Sequence, residues 1–532
     1  MRRLALLLLV VVWRAEADYA DYLYVPPPES RAMSGRKGLS LEELSYYLAR
    51  PCPRHIFAEF EGRNALLEKE VEPGPAQQVA AGFFVGMRGG DLFGERAGHT
   101  AVAWVTSRDA VALRLLVDLS GLSAADALWL IDPTGPRAFG PFSVSDAREE
   151  GRWLPTVWGD TAVLMLEYGA NEIPSFHLQA LSHFFTGLRK ALESGHGCPI
   201  PVGCERDPAF QEVASGVGML IIPSGAYGHV QCTGALLNNP GTAALESYLI
   251  TASHCLEAET DASQIEVVWD YRAADCAGEG IPALPDLPRS QGEALLAADR
   301  NLDGALLRLE GVPVGQWGRA WLGWDTRTLE QLDAMAGAHH PMGTSMKLCQ
   351  GRVQETDVRA CMDFLCTDRA YHQTQVQWDE GITAGGSSGS PLLVRDGRYR
   401  VVGMLSNGPV HDCDTPSQNI DNFASFARFF PEIACYLIPG GVCEPASKES
   451  PWCPAKATFG TGSETVSRLR SLRDRLLRKT AAGRAVTGVY YAGAPLLSKA
   501  VEASETVRAL FAVGAMPFAW AGAWLESFGA GA

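Results

Sequence analysis

The sequence predicts a mainly β chain: a sandwich-like N-terminal region, a larger β-barrel region and a small helical module at the end. Three observations lead there. Between about Ala80 and Leu178, short apolar runs such as Ala101-Val-Ala-Trp-Val105, Ala112-Leu-Arg-Leu-Leu-Val117, Ala127-Leu-Trp-Leu-Ile131 and Ala162-Val-Leu-Met-Leu166 are punctuated by Gly and Pro. Strands at that spacing suggest an antiparallel sandwich. From Cys198 to about Gly440 strand candidates recur: Val230–Leu237, Ile265–Trp269, Gln375–Trp378 and Tyr399–Gly403. From Ser463 to Lys479 the period changes, with Val466, Leu469, Leu472, Leu476 and Leu477 at helical spacing and six arginines and lysines on other faces. A second helical stretch is expected over Pro495–Leu510.

The 532 residues exceed one core and suggest roughly three domains. A net charge of -16 argues against a general nucleic-acid binder. Arg2 and Arg3, the apolar run Leu4–Trp13 and Ala15-Glu16-Ala17 have the order of a secretory signal peptide, the run being too short to span a bilayer. Export makes the 13 cysteines readable as disulfide partners, and their odd number leaves at least one thiol free or paired between chains. Residues 18–47 contain Pro26-Pro27-Pro28 and read as linker, and Glu172–Glu193 as a helix plus connector. His99, His177 and His183 lack ligand-like spacing and read as surface or satisfied core histidines.

The chemistry lies in three strings. Ala384-Gly-Gly-Ser-Ser-Gly-Ser-Pro391 offers Ser388 between glycines, Leu249-Ile-Thr-Ala-Ser-His-Cys255 offers His254, and Leu302-Asp-Gly-Ala-Leu-Leu-Arg-Leu309 offers Asp303. A hydroxyl becomes a nucleophile when an imidazole takes its proton, and a carboxylate holds that imidazole in the required tautomer. Ser388 is preferred to Ser387 and Ser390 for its flanking glycines. Asp303 is preferred to Asp325 and to Asp299, which reads as solvated among charged neighbours. The glycine-rich turn would aim the backbone N–H groups of Gly386 and Ser388 at a developing oxyanion. The order His254, Asp303, Ser388 resembles that of trypsin-like serine proteases and differs from the order in subtilisins and α/β-hydrolases, which sets aside a lipase or esterase.

The resemblance sharpens to the bacterial lysyl endopeptidases. It rests on Cys232-Thr-Gly-Ala-Leu-Leu-Asn-Asn239, Tyr248–Cys255, Val268-Trp-Asp-Tyr271, Ala336-Gly-Ala-His-His-Pro341 and Gly385–Pro391, and covers about Cys198–Phe430. It implies a trypsin-like double β-barrel and the pairs Cys198–Cys413, Cys204–Cys276 and Cys232–Cys255. Ser387 stands where animal trypsins carry the aspartate that receives a freed N-terminus, and Ile382 where they carry the pocket acid. In the lysyl endopeptidases the acid comes from a later strand, and the matching residue is Asp421; a buried carboxylate there would select a cationic P1 side chain, the alternative being a solvated loop aspartate. Relatives follow this acid with Tyr-Gly, whereas Phe423-Ala424 stand here. Ser406-Asn407-Gly408 resembles the edge strand that pairs with substrate backbone, its middle residue being small and polar.

The resulting organisation is 1–17 signal peptide, 18–190 N-terminal β-rich region, 191–440 protease domain, and 441–532 cysteine-containing linker plus helical module. Residues 18–190 would serve as a pro-region that assists folding or blocks the cleft, with Lys190 a suitable maturation site for a lysine-specific enzyme, the alternative being a permanent accessory domain that binds substrate or surface. The C-terminal strings Cys453-Pro-Ala-Lys-Ala-Thr-Phe-Gly460 and Leu469-Arg-Ser-Leu-Arg-Asp474 resemble a small module that ends bacterial exported proteins; the apolar stretch Ala509–Leu525 is short and broken by Gly and Pro, favouring a packed helix pair over a membrane anchor. Cys349, Cys361 and Cys366 near His339, His340 and His372 allow a zinc reading, but export favours disulfides, and no metal or cofactor is expected. The expected partners are protein or peptide substrates of a secreted endopeptidase. An exported binding protein with a silent protease fold is the competing class.

Overall fold

The computed structural model describes residues 19–27, 45–46, 49, 52–64, 77–93, 99–134, 137–185, 199–225, 227–241, 245–256, 261–361, 369–409 and 419–443, with scattered positions beyond them. The signal peptide, Lys190, the Cys198–Cys413 pair and nearly all of the C-terminal module lie outside these.

The chain is mainly β, and the two barrels close in their pairing. Strands Val217–Ser224, Gly228–Leu237, Tyr248–Thr251, Gly304–Glu310, Arg289–Asp299 and Glu266–Val268 pair in that cyclic order, each antiparallel to the next and the last to the first. Strands Ala334–His339, Lys347–Cys361, Arg369–Glu380, Ile420–Ser425, Arg400–Asn407 and Pro391–Val394 form a second ring of the same kind. Closure leaves no free edge between the two ends of a sheet, which suits strands rich in Val, Leu and Ile. Each ring encloses its own buried core, around Leu220, Leu249 and Leu307 in the first and Val353, Val376 and Leu392 in the second. A third core unites them through Leu237, Leu306, Met404 and the helix Phe426–Leu437.

The N-terminal region is a sandwich, as the alternating runs predict. One sheet has the order Arg54–Phe57, Thr100–Ser107, Thr161–Glu167, Ala127–Asp132, Arg137–Phe142. The other runs Val157–Trp158, Ala112–Asp118, His177–Phe184, Gln77–Arg88, and does not stop there. Gln77–Arg88 also pairs with Gly228–Leu237, in the register Ala80 to His229, Gln78 to Val230 and Gln77 to Gln231. Sandwich and first barrel thus share one continuous sheet.

Side chains seal this junction. Glu266 Oε2 accepts from the Thr156 hydroxyl at 2.5 Å and the Thr156 amide at 3.0 Å, while Oε1 lies 3.2 Å from Arg289. Fully buried Arg114 donates to the Leu154 and Gln264 carbonyls. Burial pulls its pKa down to about 10, with the Glu266 charge opposing.

Three sequence readings are corrected here. His177–Phe184, read within a helix, is a strand paired on both sides. Residues 18–47 are not all linker: Tyr19–Ala20 pairs with Trp324–Asp325, and Leu23–Val25 with Trp321–Arg319, on the segment joining the barrels. Ala20 is buried, Tyr22 donates to Glu212 at 2.7 Å, and a Cβ at Gly323 would lie 2.3 Å from the Ala20 carbonyl oxygen, so that position has been kept open for the strap. Asp299 is buried rather than solvated, its Oδ1 accepting the Asn301 and Leu302 amides at 2.6 and 3.0 Å.

Three buried histidines give the fold an acid sensitivity. Burial lowers His183 and His340 to about 4, and His229 well below its ordinary value. The unfolded chain therefore binds these protons first as pH falls from about 6.5, so their stabilising contribution is complete above that value and lost as pH falls towards about 4. Melting temperature is expected to drop through this window by more than in a His229→Asn variant. Equal drops in the two proteins would remove His229 from the explanation.

Candidate active site

His254 occupies a short 3-10 turn, Ser253–Cys255, that follows the strand Tyr248–Thr251, and the Cys232–Cys255 disulfide fastens the turn to the neighbouring strand. Asp303 stands just before the strand Gly304–Glu310 with φ of 62°, a conformation costly for most side chains but tolerated by aspartate. That turn directs its carboxylate inward, where four donors meet it. Oδ2 lies 2.7 Å from His254 Nδ1 and accepts from the Ser406 hydroxyl at 2.7 Å. Oδ1 accepts from the His254 amide at 2.8 Å and the Ser253 hydroxyl at 3.0 Å. Both oxygens are thus oriented, and the imidazole is fixed by ring and backbone alike.

Ser388 lies in the loop between Arg369–Glu380 and Pro391–Val394, drawn against the first barrel. Its carbonyl accepts from the Thr233 amide at 2.8 Å. Cys255 Sγ lies 3.9 Å from that carbonyl oxygen and 3.9 Å from His254 Nε2, so the two residues flank one sulfur. Gly389 has φ of 79°, and a Cβ there would lie 2.2 Å from Thr251 Oγ1. Only glycine fits the position. Gly386, with φ of 88°, would likewise drive a Cβ to 1.9 Å from Gln231 Oε1. Ser387 is turned to His339, its hydroxyl 2.8 Å from Nδ1, and Ser390 leads into the next strand. The Ser387 hydroxyl is therefore otherwise engaged. So is Asp325, which pairs with Arg327 and Arg400.

Asp421 lies on the strand Ile420–Ser425 and is completely buried, which excludes the solvated-loop alternative. Its Oδ2 accepts from Trp378 Nε1 at 2.6 Å and the Thr383 hydroxyl at 2.7 Å, both neutral donors that orient the group. The other oxygen faces Gly408, where a Cβ would lie 1.9 Å away. Asp421 therefore adjoins the Ser406-Asn407-Gly408 segment. Asn407 accepts from the Asn422 side chain at 2.7 Å.

Two of the disulfides implied by the resemblance, Cys204–Cys276 and Cys232–Cys255, are present; Cys435–Cys443 was not foreseen. Cys349 is not a disulfide partner but a buried thiol, kept protonated by burial and by the Asp421 charge. Among the described residues, the one cluster with ligand-like proximity is Cys232, His254 and Cys255, whose sulfurs are consumed by a disulfide. Sequence reasoning missed Gln231, Thr233, Ser253, Trp378 and Thr383. Ser253 adjoins His254 inside the motif, while Gln231 and Thr233 carry the alternation of one strand face and could have been flagged as polar residues on an apolar strand.

Residues 192–424 match the family model described as the lysyl endopeptidase C-terminal domain. Over 360 residues the chain is 28% identical to a lysyl endopeptidase of Pseudomonas aeruginosa, covering 64% of this chain and 76% of that protein. It is also 28% identical over 193 residues to secreted RxLR effector protein 73 of Plasmopara viticola, covering 35% of this chain and 43% of that one. Among solved structures, the active form of an M. tuberculosis protease aligns with a TM-score of 0.30 and 14% identity, over 47% of this chain and 95% of that chain.

Proposed function

We propose, from the premise that residues 192–424 belong with the lysyl endopeptidase-like branch of the trypsin-fold serine proteases, that this serine protease is a secreted endopeptidase cleaving after lysine or arginine. The observation that carries the catalytic reading is the His254–Asp303 couple at 2.7 Å with Ser253 and Ser406 on the same carboxylate, set beside the Ser388 loop. Ser388 Oγ attacks the scissile carbonyl while His254 Nε2 takes its proton, and the N–H groups of Gly386 and Ser388 receive the oxyanion. Collapse expels the amine, protonated by His254, and leaves an acyl-enzyme that water hydrolyses by the same steps in reverse roles. Asp303 never takes the proton; it stabilises the imidazolium from its Nδ1 side.

Specificity rests on Asp421. A buried carboxylate is complemented best by a cationic side chain, reaching it past Gly408. Residues 18–190 are read as a pro-region whose role is assistance to folding, since their strand Gln77–Arg88 pairs onto Gly228–Leu237 of the first barrel. Export follows the signal-like N-terminus and agrees with the disulfides.

Treatment with a fluorophosphonate, followed by peptide mass spectrometry, tests the catalytic reading. A single adduct on Ser388, absent when His254→Ala is treated likewise, is expected. An unlabelled, inert protein would favour the silent binding module.

A further inference from the structure

Ser387 occupies the position at which an ion pair with a freed N-terminus orders the nucleophile loop of animal trypsins, and a serine cannot make that pair. Yet the loop is thoroughly held. The Ser387 hydroxyl accepts the Ala384 amide at 3.1 Å, leaving its own proton for His339 Nδ1 at 2.8 Å. The Gly386 carbonyl accepts from the Thr233 hydroxyl at 2.9 Å and from Gln231 Nε2 at 3.1 Å. Gln231 Nε2 also reaches the His340 carbonyl at 2.9 Å, and its Oε1 accepts the Gly343 amide at 2.9 Å. The Gly385 carbonyl accepts the Met342 amide at 2.7 Å.

We propose that His339 and Gln231 are positioning residues that preset the oxyanion loop, so that the orientation of the Gly386 and Ser388 N–H groups is built into the fold and does not await a cleaved N-terminus. The inference rests on the catalytic reading above. Its physical basis is directional. A carbonyl held from one side fixes the plane of the peptide that follows it, so donors on the Gly385, Gly386 and Ser387 carbonyls, the last held by the Ser390 amide at 3.0 Å, set where the N–H groups of Gly386, Ser387 and Ser388 point. The Ser387 side chain, pinned between the Ala384 amide and His339, fixes the last turn before the nucleophile. All these groups are buried: His339, Ser387 and Thr233 are fully covered and Gln231 is 1% exposed. In such surroundings a polar group left without its partner is costly, so the clamp tolerates one arrangement of the loop. His339 and Gln231 are not catalytic residues; they act through Ser387 and Gly386. Because the strand bearing Gln231 pairs at that residue with Gln77, the clamp is also backed by the N-terminal sheet.

The test uses the purified full-length protein, a lysyl peptide substrate and the fluorophosphonate label. His339→Ala and Ser387→Ala are each expected to lower kcat and the labelling rate by at least about tenfold, with KM within about threefold, as loss of an interaction made in the transition state requires. The double variant should fall no further than the worse single one, because both remove the same bond. His339→Asn, which can place an amide oxygen near the Nδ1 position, should recover most of the activity. Ser387→Ala removes one oxygen atom only and keeps the experiment decisive if the His339 variants misfold. Unchanged kcat in both alanine variants, additive losses in the double variant, or a loss confined to KM would each overturn the inference. Wild-type protein that labels at Ser388 while His339→Ala labels equally fast sinks this inference alone. Wild-type protein that neither labels nor hydrolyses sinks it together with the catalytic reading.

Discussion

Ser388→Ala is expected to lose peptide hydrolysis by on the order of 10^5-fold or more, with its melting temperature within a few degrees of the parent. The hydroxyl becomes the acyl carrier in the proposed mechanism, and residues that act as one catalytic unit lose nearly everything on single removal. His254→Ala should fall by a similar factor, and the double variant no further, since imidazole and hydroxyl serve one step. Asp303→Asn should lose less than either, through the wrong imidazole tautomer rather than a missing nucleophile. Initial rates on a peptide substrate, after removal of host proteases by affinity purification, measure all four. Wild-type turnover in the serine variant would overturn the assignment of Ser388.

The second large effect concerns Asp421. Asp421→Asn preserves shape and can still accept from Trp378 and Thr383. It removes the negative charge, and a lysyl ammonium carried into the pocket then meets no counter-ion. Loss of one partner of a buried ion pair costs about 3–5 kcal/mol, so kcat/KM on lysyl peptides is expected to fall by on the order of 100-fold or more. Peptides with a neutral side chain of the same length should change little. A peptide library read by mass spectrometry compares the two proteins. An unaltered preference for cationic residues in Asp421→Asn, or a parent enzyme that favours large apolar ones, would refute the role given to Asp421.

The parts of the site that were readable in advance are those whose chemistry restricts both the residue and its flanks. Ser388 needs the glycines at 386 and 389 because the loop passes too close to Gln231 and Thr251 for any Cβ. Asp303 needs an apolar strand behind it to be buried. Pairings such as Cys204–Cys276 followed only from the resemblance, as spacing alone selects no connectivity. His177–Phe184 was misread because both of its faces are covered. Leu178 and Leu181 point into the sandwich core, Phe184 into the junction core, and Ser182 bonds to His229 at 2.9 Å. Burial on two sides erases the period-two signature that distinguishes a strand. Tyr19–Ala20 and Leu23–Val25 are too short to carry a pattern; their partners lie some 300 residues further on, at Arg319–Asp325. Asp299 looked solvated because of its charged neighbours, yet turn amides satisfy its carboxylate locally.

The sheet that runs from the sandwich into the first barrel bears on what maturation could achieve. Breaking the backbone at Lys190 would sever the covalent link and leave every rung between Gln77–Arg88 and Gly228–Leu237 in place. To leave, the amino-terminal piece would have to strip a strand edge bare and uncover Arg114 and Glu266 together. A nicked molecule would therefore migrate as one particle under native conditions and as two bands in detergent. Its halves would be kept as partners by geometry, and departure would need a second event, such as digestion of the amino-terminal piece itself.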